Sequence, residues 1–389
     1  MGILNNTVSI SQFIVHGNAA AEDLVSWVGD CLNKNAFRSI EQTSEEQSIG
    51  WVRLDDLQNS DFVGSHVYQR DQYLVFSFRR DQRKLPATLL KAYMEQAEAE
   101  FLAENPTFHR VPKQKRDNLR DAIRGALFAR SLPTPLVCDV VWDTRSNQVT
   151  LTNLGTKTVE QFVDLFNKSF EGLRLTPIHP FARAEQLAEG ELAEQLQQAN
   201  LATSNAVLDL IEANHWLGRD FLVWLLHETL NANSEYVVSR PGPAAEGECF
   251  IAYLNDRLVL AGTNENGVQK VSVSGPQDHF REACAALQGG KEIHEAVLYL
   301  EKQEMLWKMT LKGDTFHFAS FKAPPVQIEK DDLADPEHEQ QAVFFERMYT
   351  LNEGLQLFDS LYLTFLQQRL GDSWASKQRA IKDWLTATL

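Results

Sequence analysis

The chain has 389 residues, 43% of them hydrophobic and 23% charged, with 37 basic against 53 acidic residues and a net charge of −16. That length buries a substantial core and accommodates two or three domains. No apolar run approaches the roughly 20 residues of a membrane span, and the acidity argues against nucleic-acid binding by the surface at large. Cys31, Cys138, Cys249 and Cys284 lie far apart with no Cys-x-x-Cys, which reads as buried small hydrophobes in a reducing compartment, hence the cytoplasm. The N-terminal stretch has no basic region ahead of its apolar residues, so no secretory signal is expected. Asn6 also breaks the myristoylation pattern.

In chain order, Thr7–Val15 alternates as a strand and Ala20–Ala36 carries Leu24, Trp27, Val28 and Leu32 at helical spacing. IGWVRLDD is a short strand or turn, and Tyr73–Arg79 is a strand stopped by a charged cluster and Pro86. ATLLKAYMEQAEAEFLAEN predicts a strong helix ended by Asn105-Pro106. A second helix is expected over Lys113–Ser131, before Pro133 and Pro135. Two strands flank the turn DTRSNQ, and TVEQFVDLFNKSF is an amphipathic helix. Residues 182–233 read as helical and Ser239–Glu248 as a loop. Three or four strands follow to about 322, with NENG as a hairpin turn, and the C-terminal segment is helical. The expected division is 1–181, 182–235, 236–330 and 331–389.

Charge is unevenly spread. Residues 70–130 hold 13 basic and 8 acidic residues, a net of +5, which leaves −21 for the rest. Arg116, Arg120 and Arg124 recur every fourth residue, so a helix aligns them in one stripe about 12 Å long. Lys113, Lys115 and Arg130 extend the stripe, while Leu119, Ile123 and Leu127 form a neighbouring face expected to bury against the core. Arg79, Arg80, Arg83 and Lys84 make a second cluster. Forked guanidinium donors match phosphate oxygens well. The bland alternative is that Glu95, Glu98, Glu100 and Glu104 of the preceding helix neutralise the stripe.

Between Ile49 and Pro180 the chain resembles the RdgC family of recombination-associated proteins. The likeness runs through IGWV, KLPATLLKAYMEQAEAE, KRDNLRDAIRGALFARSL, VVWDTRSNQVTL and FVDLFNKSFEGLRLTPI, in that order. The resemblance implies an α+β fold of antiparallel sheets with long helices, a ring-forming homodimer that encloses duplex DNA without sequence preference, and no cofactor or catalytic activity. It implies restraint of a RecA-type recombinase or nuclease by occupation of the DNA. It also places Arg130, and less closely His109 or Arg110, on the inner surface of the ring, and Leu132 where the family has an aromatic dimer contact.

Other motifs are incomplete. His227–Asn231 begins like HExxH but lacks the second histidine, Glu212–His215 is a single Glu-x-x-His, and Gly289–Glu292 lacks the P-loop glycines. Asp55-Asp56, Asp331-Asp332 and DPEHE read as loop charge rather than a Mg²⁺ site. Most tryptophans sit in apolar periodic segments as core residues, and WLGRDFLVWLL, apolar nearly all round, is expected between domains or subunits. The leading expectation is a non-sequence-specific duplex-DNA-binding protein. Its candidate contacts are Arg79, Arg80, Arg83, Arg110, Lys113, Lys115, Arg116, Arg120, Arg124 and Arg130. The alternatives are an acidic protein-interaction or inhibitor module and a metal-dependent nuclease.

Overall fold

A computed structural model describes residues 2–19, 23–43, 45–264, 267–275, 280–326 and 336–387. The elements in chain order are β1 (Thr7–Gly17), α1 (Leu24–Lys34), β2 (Gln47–Val52), β3 (Gln69–Arg70), β4 (Tyr73–Gln82), α2 (Ala87–Glu104), α3 (Lys113–Arg130), β5 (Thr134–Asp143), β6 (Gln148–Leu151), α4 (Thr156–Ser169), β7 (Leu173–Pro177) and α5 (Pro180–Leu187). They continue with α6 (Glu191–Gln198), α7 (Val207–Ala213), α8 (Trp216–Asn231), β8 (Glu235–Val237), β9 (Cys249–Asn264), β10 (Gly267–Ser274), α9 (Arg281–Gln288), β11 (Glu292–Lys302), β12 (Met305–Lys312), β13 (His317–Lys322), α10 (Pro336–Leu370) and α11 (Trp374–Ala387). The fold is α+β with antiparallel pairing in its sheets. The expected NENG turn and the Asp331-Asp332 pair lie at least partly outside the described residues.

The chain forms two compact units. The smaller comprises Gly17–Arg145 and Glu160–Arg174. In it β4 lies between β2 and β5, with Phe78 opposite Trp51 on one side and Cys138 on the other. One face of this sheet is covered by the C-terminal part of α4. Phe162 and Phe166 of the helix and Phe170 just after it recur every four residues and are fully buried. Trp51 packs edge-on to Phe76 with ring centroids 5.0 Å apart, and its indole N–H donates to Ser169 Oγ at 2.8 Å. That hydrogen bond satisfies the one polar atom of an otherwise apolar core side chain. Gly50 must lack a side chain, because a Cβ there would fall 2.4 Å from the Cα of Phe37 on the neighbouring segment.

The larger unit comprises Met1–His16, Ser146–Val159 and Leu175–Leu389. Its strands run in the order β10-β9-β11-β12-β13-β1-β6, with β8 added beside β9. The apolar segment expected between domains or subunits is α8, and it is buried inside this unit instead. Phe221 makes edge-on contacts with Phe316, Phe358, Tyr362 and Phe365, so α8 is wedged between the sheet side and α10. An all-round apolar helix needs only to be enclosed, and its own unit encloses it. Lys302 is buried and pairs with Glu248 at 2.7 Å and Glu353 at 2.8 Å, tying β11 to α10. Helix α9, with Ala283, Cys284 and Ala286 buried, was not legible as a helix because its eight residues offer barely two turns. Of the cysteines, Cys138 and Cys284 are buried, Cys31 is half-buried and Cys249 is exposed, so the expectation of burial fails for Cys249. Among the described residues no helix is long and apolar enough to cross a membrane.

Candidate nucleic-acid interface

The helices α2 and α3 form a hairpin within the smaller unit. It is thinly buried: Met94 in α2 and Leu127 and Phe128 in α3 are the buried side chains. Leu119 and Ile123 are half-buried, so of the expected apolar face only its C-terminal end reaches the core. At the end where the loop joins the two helices, Phe101 and Phe108 pack with tilted rings, centroids 5.9 Å apart, and Asn105 Nδ2 donates to the Phe101 carbonyl at 2.9 Å. Neither helix has a side-chain N-cap; both begin after a proline, Pro86 and Pro112. Arg130 occupies the last turn of α3, where a cation meets the negative end of the helix dipole.

The arginines of α3 divide into two groups. Arg116 Nε pairs with Glu98 Oε1 at 2.6 Å, and Arg124 Nη2 pairs with Glu46 Oε2 at 2.5 Å. Arg124 also lies over the Phe128 ring, 5.2 Å from its centroid. Arg120 and Arg130 are exposed and have no ion pair among the described residues, and the same holds for Arg110 and Lys113. Lys115 is exposed as well, its ammonium 5.7 Å from the Phe101 ring centre. Five cations therefore remain available along the hairpin, and two more are held by carboxylates on the solvent-facing side.

The second expected cluster is dispersed. Alternation along β4 sends Arg79 and Arg80 to opposite faces of the sheet. Arg79 makes a two-pronged bond to the buried Asp81 at 2.8 Å and 2.8 Å and lies 4.3 Å from the Phe37 ring centre. Arg80 Nη1 donates to Gln161 Oε1 at 2.7 Å on the α4 side. Arg83 is 1% exposed. Its guanidinium donates to the carbonyls of Ser131 (2.8 Å), Glu45 (3.1 Å), Ile40 (2.9 Å), Glu41 (3.0 Å) and Thr43. A buried guanidinium so fully engaged acts as a structural rivet, and Arg83 leaves the candidate set. Leu132 projects just after α3 and is 82% exposed.

Glu46 was missed by sequence reasoning. It lies in the loop before β2, 78 residues from its arginine, and no local pattern marks it. Glu98 was in the set of glutamates expected to face the stripe, and it is the one of those four that pairs with an arginine of α3. No group of three or more His, Cys, Asp or Glu positioned to hold a metal occurs among the described residues. In HETLN, His227 Nδ1 instead meets Glu228 Oε1 at 3.0 Å, and the Lys377 ammonium pairs with the same carboxylate. Those two partners hold the Glu228 carboxyl below its ordinary range against the opposing effect of burial.

Residues 20–209 match the family model described as "RdgC: Putative exonuclease, RdgC". No curated protein matches the chain.

Proposed function

With residues 20–209 belonging to the RdgC family, a group associated with DNA recombination, we propose that the chain binds duplex DNA through the α2–α3 hairpin without regard to sequence. The observation that carries this reading is the exposed, unpaired set Arg110, Lys113, Arg120 and Arg130 in a chain of net charge −16. Phosphate contacts from such groups supply affinity but no base readout. The strongly negative remainder repels DNA and so confines binding to this surface. A homodimer that closes a ring around the duplex would place two such hairpins on one DNA segment. The exposed Leu132 is the candidate apolar contact between copies. Occupied DNA would then be closed to a RecA-type recombinase or a nuclease.

The test is fluorescence anisotropy on random-sequence duplexes. The double variant R120E/R130E should weaken binding to every sequence equally, by at least tenfold, without altering the fold. An unchanged affinity would refute the assignment. Two other readings have observations in their favour. The Arg116–Glu98 and Arg124–Glu46 pairs suit an interaction module with a self-neutralised helix, for which no duplex binding is expected at low salt. The family description favours an exonuclease, for which end-labelled duplex should shorten with Mg²⁺.

A further inference from the structure

Outside the family-matched region, the larger unit holds a cleft of about 650 Å³ on the face formed by β9, β10, β11 and β12. Its floor is small: Val259, Ala261 and Gly262. Strand register places charged residues around that floor. Lys270 lies opposite Ala261, which lies opposite Glu292, and Glu295 lies between Val259 and Lys312. The register shifts between Ile293 and Glu295, so His294 is an inserted residue, a device that re-aims a side chain. His294 Nδ1 meets Asp314 Oδ2 at 2.8 Å. A ring that donates from Nδ1 to this carboxylate presents Nε2 as an acceptor when neutral and as an N–H donor when it carries a charge.

The helix behind the cleft is pressed close. A Cβ at Gly218 would fall 1.9 Å from the Gly313 carbonyl oxygen, so α8 and the β12–β13 turn touch backbone to backbone. This contact sets the next residue, Arg219, beside Asp314 at 3.5 Å, and Arg219 also pairs with Glu292. Arg257 approaches Glu295 at 3.8 Å. Every carboxylate lining the cleft is thus already met by a cation of this chain. Lys270 and Lys312 are not paired among the described residues, and Thr315 Oγ1 is buried there without a hydrogen-bond partner.

We propose that this cleft binds a phosphate monoester, with Lys270, Lys312, the Nε2–H of His294 in its charged form and the hydroxyl of Thr315 as its ligands. A metal cation finds no free carboxylate here. A carboxylate ligand brings only one negative charge to the two unpaired ammonium groups of Lys270 and Lys312. A phosphate monoester carries nearly two negative charges and three strong acceptor oxygens, and charge-assisted hydrogen bonds reward their use. The volume falls in the range of about 300–1,000 Å³ usual for small-molecule sites, which leaves room for a nucleoside attached to the phosphate. The monoester comes from a free mononucleotide or from the 5′-phosphate at a nucleic-acid end. The proposal does not depend on DNA binding by the hairpin.

The experiment is calorimetric titration of the full chain with inorganic phosphate, a nucleoside 5′-monophosphate, the unphosphorylated nucleoside, and short duplexes with 5′-phosphate or 5′-hydroxyl ends. Saturable binding of phosphate and monophosphate but not of nucleoside is expected. K270A/K312A should lose at least tenfold, and the isosteric T315V several-fold at an unchanged Tm. R120E/R130E should bind the monophosphate normally, which separates this site from the hairpin. A preference for 5′-phosphate duplex ends that disappears in K270A/K312A identifies the nucleic-acid end as the source. Monophosphate binding without that preference identifies the free nucleotide. Absence of saturable phosphate binding, or equal binding by wild type, K270A/K312A and T315V, overturns the proposal.

Discussion

Replacing Glu46 and Glu98 by glutamine should make the protein a better DNA binder. Both carboxylates sit on arginines of the α3 stripe, Arg124 at 2.5 Å and Arg116 at 2.6 Å. Duplex phosphates must displace them before those arginines can contribute. The arginine side chains are 46% and 57% exposed, so each pair is worth only about 0–1 kcal/mol. Removing both competitors therefore strengthens binding by up to about 2 kcal/mol, or roughly 30-fold. The salt dependence gives a sharper signature. With each of the five unpaired cations on a phosphate, the slope of log K against log salt is about −4.5, a loss of roughly 500-fold between 50 and 200 mM. Two further contacts steepen it to about −6.3 and the loss to several thousand-fold. Anisotropy titrations of E46Q/E98Q at three salt concentrations read both quantities. Binding by the wild type with no change of affinity or slope in the variant would show that Arg116 and Arg124 never face phosphate. No binding by either would sink the DNA assignment itself.

Further outcomes concern stability. R83A should cost about 3 kcal/mol or more in chemical denaturation, because several backbone carbonyls lose a buried donor at once. R83K should not restore it, since an ammonium cannot span that arc of acceptors. Acid should act early. Burial holds His179 at about 4, below its ordinary 6.5, and its neutral ring caps α5 by accepting from the Ala182 N–H at 3.4 Å. Burial, followed by the charge of Lys312, holds His317 at about 4. The unfolded state binds these protons more readily, so stability is complete above about pH 6.5 and declines toward pH 4. Full protonation of His179 costs of order 3 kcal/mol, and that of half-buried His317 less. Carboxylates held low, such as Asp55 and Asp256, lose their contribution only at lower pH. H179N, which keeps a cap acceptor, should flatten the Tm change between pH 7 and 5; an unaltered slope would refute the role of His179.

The helices of the hairpin were legible because helix periodicity is local. Residues 87–104 and 113–130 carry their own start and stop signals, and i, i+4 spacing keeps Arg116, Arg120 and Arg124 together wherever the helix docks. The Arg79, Arg80 and Arg83 cluster shows the converse. Adjacent positions on a strand face opposite ways, so closeness in sequence became separation in space, and the carbonyls of Ile40, Glu41, Thr43 and Glu45 enclose the Arg83 guanidinium. The pairing of β1 with β13, which puts the first strand in the same unit as the C-terminal helices, joins segments some 310 residues apart and leaves no local mark. The same holds for the cleft of Lys270, His294 and Lys312, assembled by strand register across β10, β9, β11 and β12 and a bulge. For this protein the amino-acid sequence by itself determined its helices, its uneven charge and its family likeness. Only the tertiary structure decided which charges stay free, because neutralisation depends on partners brought from distant segments and burial depends on what packs above.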